Sequence, residues 1–177
     1  VKTDDILSAS SDPLWLASAE ALEELRQPAT REALYRVLHL EPSRGCHDLL
    51  RVLFSLEAKC WQDDEDDVGD GNSAADEGWS SENLYWCGLL LYRAGRVDDV
   101  LPMWRAKNIN FDSLCGFDGQ FLVGAGVDST IAFLKEIDTD EARACLEYIN
   151  ECKACGDLDW LEQWEKGRAN YFDPRRE

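Results

Sequence analysis

Three glycines at nearly equal intervals restrict what this chain can fold into. Gly95, Gly126 and Gly156 lie 31 and 30 residues apart, in the segments Ala94-Gly95-Arg96-Val97-Asp98, Ala125-Gly126-Val127-Asp128 and Ala154-Cys155-Gly156-Asp157-Leu158-Asp159. Glycine enters the left-handed backbone region without a Cβ penalty and so ends helices, and an aspartate shortly afterwards accepts hydrogen bonds from the free amides that open the next one. Each segment is therefore predicted to be a tight turn between antiparallel helices, spaced as in a repeat. The flanks agree. Leu84, Cys87 and Leu91 precede the first glycine, and Val100, Met103 and Trp104 follow it; Phe117, Phe121 and Leu122 face Ile131, Phe133 and Leu134 across the second. Around the third, Ala142, Cys145, Leu146 and Ile149 precede Leu161 and Trp164. Pro102 fits a helix capped by Asp99, because proline in a first turn forfeits no intrahelical bond. Asp138 with Glu141 three residues later reads as a capping box opening a helix through Cys155, and Gly167 reads as the end of the last helix.

The N-terminal part follows the same helical logic with weaker punctuation. Ser11-Asp12-Pro13 is predicted to start a helix that carries Leu14, Ala17, Ala21, Leu22 and Leu25 on one face and stops at Gln27-Pro28. A second helix is expected from about Thr30, with Leu34, Val37 and Leu38 inward, so the two form a hairpin. Between 44 and 61, Leu49, Leu50, Val52, Leu53, Phe54 and Leu56 make a run suited to a helix buried on several sides, with a short strand as the competing reading.

Residues 62–79 carry eight acids, no base and three glycines, which predicts a mobile acidic loop. It falls between an N-terminal helical part, 1–61, and a C-terminal hairpin part, 80–170, of one 177-residue domain. Calcium-loop spacing is absent: the sixth position from Asp63, and the third from Asp66, is Val68. The loop is the densest part of a formal net charge of −18. Such a field repels phosphate backbones and anionic membranes and attracts basic protein surfaces, so no direct nucleic-acid or membrane contact is expected. The alternative is a solvated surface that confers only solubility.

Gly88, Tyr92, Gly95, Asp98 and Trp104 resemble a tetratricopeptide (TPR) hairpin over about 81–108. Val100 and Lys107 stand where that family usually has alanine, the closing proline is missing, and the spacing is shorter than its period of about 34 residues. The resemblance implies an all-α fold of stacked antiparallel helical hairpins, either an α-solenoid or an irregular bundle. It also implies a concave face on which Glu82, Tyr85, Leu89, Tyr92 and Arg93 meet a partner. Packing of Tyr85, Leu89 and Tyr92 into the core is the competing reading.

No catalytic constellation is legible. His39 and His47 are the only imidazoles; His39 is expected on a partly exposed helix face, and His47 adjoins Cys46, whose side chain would point away from it on a helix. Cys152-Lys153-Ala154-Cys155 lacks a second cysteine pair for zinc and sits at a helix end, where the dipole does not activate a thiol. No metal or cofactor is expected. Seven scattered cysteines suit reduced thiols in the cytoplasm. Neither end shows a basic region followed by an apolar stretch, and no apolar run approaches about 18 residues, so no leader or span is expected, although one removed before Val1 would leave no trace.

These features lead to an acidic helical protein-binding module whose surface, with Asp63, Asp64, Glu65, Asp66 and Asp67 in the acidic loop, engages a basic protein. Small, acidic, helical bacterial immunity proteins are similar in style, which makes a basic toxin the specific partner expected. The rival readings are a helical enzyme or metal- or ligand-binding protein using clustered carboxylates, and a peptide-binding adaptor.

Overall fold

The computed structural model describes residues 2–12, 15–41, 46–66 and 80–176. Among them the fold is all-α, with ten α-helices and no strand. In chain order these are α1 (Thr3–Ala9), α2 (Ala19–Leu25), α3 (Pro28–Leu40), α4 (His47–Asp66), α5 (Glu82–Ala94), α6 (Val100–Lys107), α7 (Phe111–Gly116), α8 (Val127–Ile137), α9 (Asp140–Cys155) and α10 (Leu161–Tyr171). Two compact units divide the chain within α5: residues 1–90 with 173–177, and residues 91–172.

In the first unit, α1 and α2 both pack on α3. The predicted helix from Ser11 to Leu25 is not formed. The helices are α1, with Asp4 and Asp5 favourably placed against the dipole of its first turn, and α2, where the Ser18 hydroxyl accepts from the Ala21 amide at 3.1 Å. Ser18 is therefore the cap that Ser11-Asp12 was expected to be, and Leu16, left outside both helices, is 88 % exposed. Pro13 and Leu14 lie outside the described residues. Pro28 occupies the first turn of α3. From His47 on, the apolar run is helical, and α4 continues to Asp66, so 62–66 is helix rather than the expected loop. Trp61 explains the extension: it is buried with its ring 5.8 Å from Tyr85, and this packing carries the helix into the acids. Residues 67–79, Asp67 included, lie outside the described residues.

Leu34, Leu49, Leu53 and Leu84 are fully buried in this unit. So is an ion pair. Glu57 accepts from Arg31 Nε at 2.6 Å and from the Tyr35 hydroxyl at 2.8 Å, while Arg31 Nη1 donates to the carbonyls of Leu25 and Arg26. His39 is buried, not on an open face, and its Nδ1 accepts from Trp86 Nε1 at 3.2 Å.

In the second unit, α8 packs most extensively on α9, and α6 packs on α7 and α9. The three turn glycines are the only glycines with positive φ among the described residues, at +65° for Gly95, +95° for Gly126 and +81° for Gly156. Their roles differ. Gly156 is a left-handed C-cap, its amide bonded to the α9 carbonyls of Cys152 and Lys153, and Gly95 ends α5 with its amide on Leu91 and Tyr92. Gly126 ends no α-helix: a 3₁₀ segment, Gly119–Val123, precedes it, and at ψ 144° it opens α8 instead.

The aspartates do not cap as expected. Asp99 takes the N-cap position of α6, which places Pro102 in the first turn, but its side chain makes no capping bond. Asp128 is the second residue of α8 and pairs with Lys153, and α10 begins after Trp160 without a side-chain cap. Thr139, not Asp138, caps α9, its hydroxyl accepting from the Ala142 amide. Asp138 itself adopts φ 46°, ψ 38° as the left-handed end of α8. Gly167 lies inside α10, which runs four residues past it. The core of this unit gathers Met103, Phe117, Phe121, Leu134, Cys145 and Ile149.

Candidate functional site

The residues expected to form a recognition face separate into three environments. Tyr85 is 8 % exposed and Leu89 fully buried, so neither presents the surface implied by the TPR likeness; the packing alternative describes both. Tyr92 is half-buried, edge-on to Trp164 with ring centroids 5.0 Å apart, and Arg93 donates from Nε to Glu165 at 3.0 Å. Glu82 is partly exposed in the first turn of α5. Asp63, Asp64, Glu65 and Asp66 are the last residues of α4, and Asp67 lies outside the described residues. Replacing Tyr92 by alanine is consequently no clean test of peptide binding, since it also removes an aromatic contact.

Two openings lie in the second unit. One, of about 470 Å³, runs along α9, where Leu146 and Ala154 supply apolar surface and Arg143, Glu147, Asn150 and Glu151 supply polar groups. Arg143 is held by Asp138 and Asp140, and among the described residues no cation pairs with the two glutamates on this wall. The second, of about 370 Å³, lies between the start of the 3₁₀ segment and α10. Its wall is the Asp118 carboxylate, which accepts from Trp164 Nε1 at 2.7 Å and from Arg168 Nε at 2.7 Å. Gln120 Nε2 donates to the Asp157 carbonyl at 3.0 Å and ties the turn before α10 to this wall. Trp160, Gln163 and Gly167 complete the rim on the α10 side. Sequence reasoning read Gly167 as the end of the last helix and gave Trp160 no role. The signal was the spacing Trp160, Trp164, Gly167, Arg168, which shares one helical face.

Neither opening assembles a reactive group. Lys107 is buried, but its ammonium is spent on the carbonyls of Leu114 and Phe117 at 2.6 and 2.7 Å, and burial lowers its pKa against the opposing pull of Asp118. Cys152 is buried and Cys155 exposed; burial raises the Cys152 thiol, which keeps it protonated and unreactive. All seven cysteines are free. Among the described residues no three His, Cys, Asp or Glu side chains gather as metal ligands, and no helix is long and apolar enough to cross a membrane. No family model, curated protein or solved structure matches this chain.

Burial of the Cys145 thiol, with Glu141 nearby, pushes its pKa from 9.0 up to about 12. Between these values the unfolded chain releases the proton and the folded chain keeps it, so stability falls as pH rises through this window. Tyr35 and Tyr148, both raised first by burial, act in the same direction. Urea unfolding at about pH 8 and about pH 10.5 is expected to show a lower midpoint at the higher pH. Cys145→Ala should start less stable and lose less between the two.

Proposed function

We propose that this chain is an acidic helical protein-binding domain that neutralises a basic partner by direct contact, in its specific form an immunity protein occupying the cationic cleft of a nuclease toxin in the cytoplasm. The observation that carries the reading is that the carboxylates are displayed rather than consumed. Asp4 and Glu20 in the first unit, and Glu147, Glu151, Asp157 and Asp159 in the second, stand exposed, against a net charge of −18. A surface of this kind speeds encounter with a basic protein and selects against anionic ones. The short connection between α8 and α9, and the glycine turn after α9, support a stacked-hairpin arrangement, which would offer successive helix faces to the partner.

Co-expression with the product of the adjacent gene tests the specific form. Cells making that product alone are expected to stop growing, and cells making both to grow. Conversion of Asp63, Asp64, Glu65, Asp66 and Asp67 to their amides should weaken protection. Arrest despite the intact chain, or a harmless neighbouring product, removes the immunity reading.

A further inference from the structure

Gly167 is costly where it stands. A helix-interior glycine is among the least favourable residues there, yet among the described residues a Cβ added at this position would meet nothing within 4 Å, so no described neighbour requires its absence. The open space is the groove of about 370 Å³ between Asp118 and α10. At its rim Trp160 is 45 % exposed, an unusual position for an indole. Asp157 and Asp159, both exposed, precede it in the turn, and among the described residues no cation pairs with either. Asp118 is already paired with Arg168, so the groove wall itself is balanced, and the negative charge beside it is that of Asp157 and Asp159 in the turn that Gln120 ties to this wall.

We infer that this groove docks an arginine side chain of the basic partner, an inference that rests on the protein-binding reading above. The guanidinium stacks on the Trp160 indole and pairs with Asp157 and Asp159, while the partner's backbone passes over Gly167, where a side chain would hold it away. Arginine fits better than lysine because its planar, weakly hydrated cation both stacks and forks onto carboxylates.

Fluorescence anisotropy of labelled hexa-arginine and hexa-lysine peptides, with the full chain at low salt, tests this. Hexa-arginine should bind at least about threefold more tightly, and Trp160→Ala should abolish that advantage. Gly167→Leu, which fills the groove, should abolish it too. Gly167→Ala should raise the melting temperature and weaken hexa-arginine binding, a combination that loss of folding cannot produce. Wild-type binding by Trp160→Ala and Gly167→Leu overturns the groove. If hexa-arginine binding is lost only when the five acids at 63–67 become amides, the basic-partner reading stands and the groove falls; binding of neither peptide to the unaltered chain overturns both.

Discussion

Glu57→Ala is expected to lower the unfolding free energy by about 3–5 kcal/mol, because it strands a buried guanidinium. Glu57 is 0 % exposed and the Arg31 side chain 2 %, so solvent cannot replace the lost carboxylate. Arg31 would keep its two carbonyl acceptors on Leu25 and Arg26, and the Tyr35 hydroxyl would lose its partner at 2.8 Å. Replacing both charges, as in Arg31→Met with Glu57→Leu, should cost clearly less than the single change, since desolvation of the pair offsets much of its attraction. Urea unfolding of the three proteins decides the matter. A loss below about 1 kcal/mol for Glu57→Ala would mean that water reaches Arg31 in the folded chain.

Gly124→Ala is expected to cost about 3 kcal/mol, at the upper end for overpacking by a single carbon. The new Cβ would lie 2.4 Å from the Tyr92 carbonyl oxygen and 2.8 Å from its Cα. These are backbone atoms at the end of α5, so relief requires moving a helix terminus rather than turning a side chain. Gly124 has φ −57°, a conformation open to every residue, and space alone explains the glycine. Thermal unfolding of Gly124→Ala beside Gly167→Ala sets the two cases against each other: the first should melt lower than the parent, the second higher.

Glycines also mark where the sequence was legible and where it was not. Gly95 and Gly156 could be read because the left-handed end of a helix is a local need that glycine meets alone. Gly126 looked the same in sequence but follows a 3₁₀ segment, a distinction set by the packing of Phe117 and Phe121, whose rings lie 4.6 Å apart. Gly124 answers a contact with Tyr92, 32 positions earlier in the chain, which no local pattern records.

Adjacent caps compete, and Asp138-Thr139 shows the outcome: the hydroxyl caps α9 while the aspartate closes α8 in a conformation few non-glycine residues adopt. The apolar run at 44–61 identified α4 correctly, but its end was misplaced. Charge repulsion predicted a stop at Gln62, and Trp61 packing on Tyr85 outweighs it for one more turn. Tyr85 and Leu89 were drawn onto a surface by analogy with TPR hairpins. Helical spacing of aromatic and aliphatic residues marks a core face just as well. The groove at Trp160 escaped notice because its opposite wall, Asp118, comes from a segment 42 positions away.

Titration calorimetry of this chain with the purified product of the adjacent gene, at about 50 mM and about 500 mM salt, tests the proposed role most directly. The expected result is a complex of fixed stoichiometry whose affinity falls more than about tenfold at the higher salt. No binding heat, or an affinity that salt leaves unchanged, would contradict recognition of a basic partner by this acidic surface.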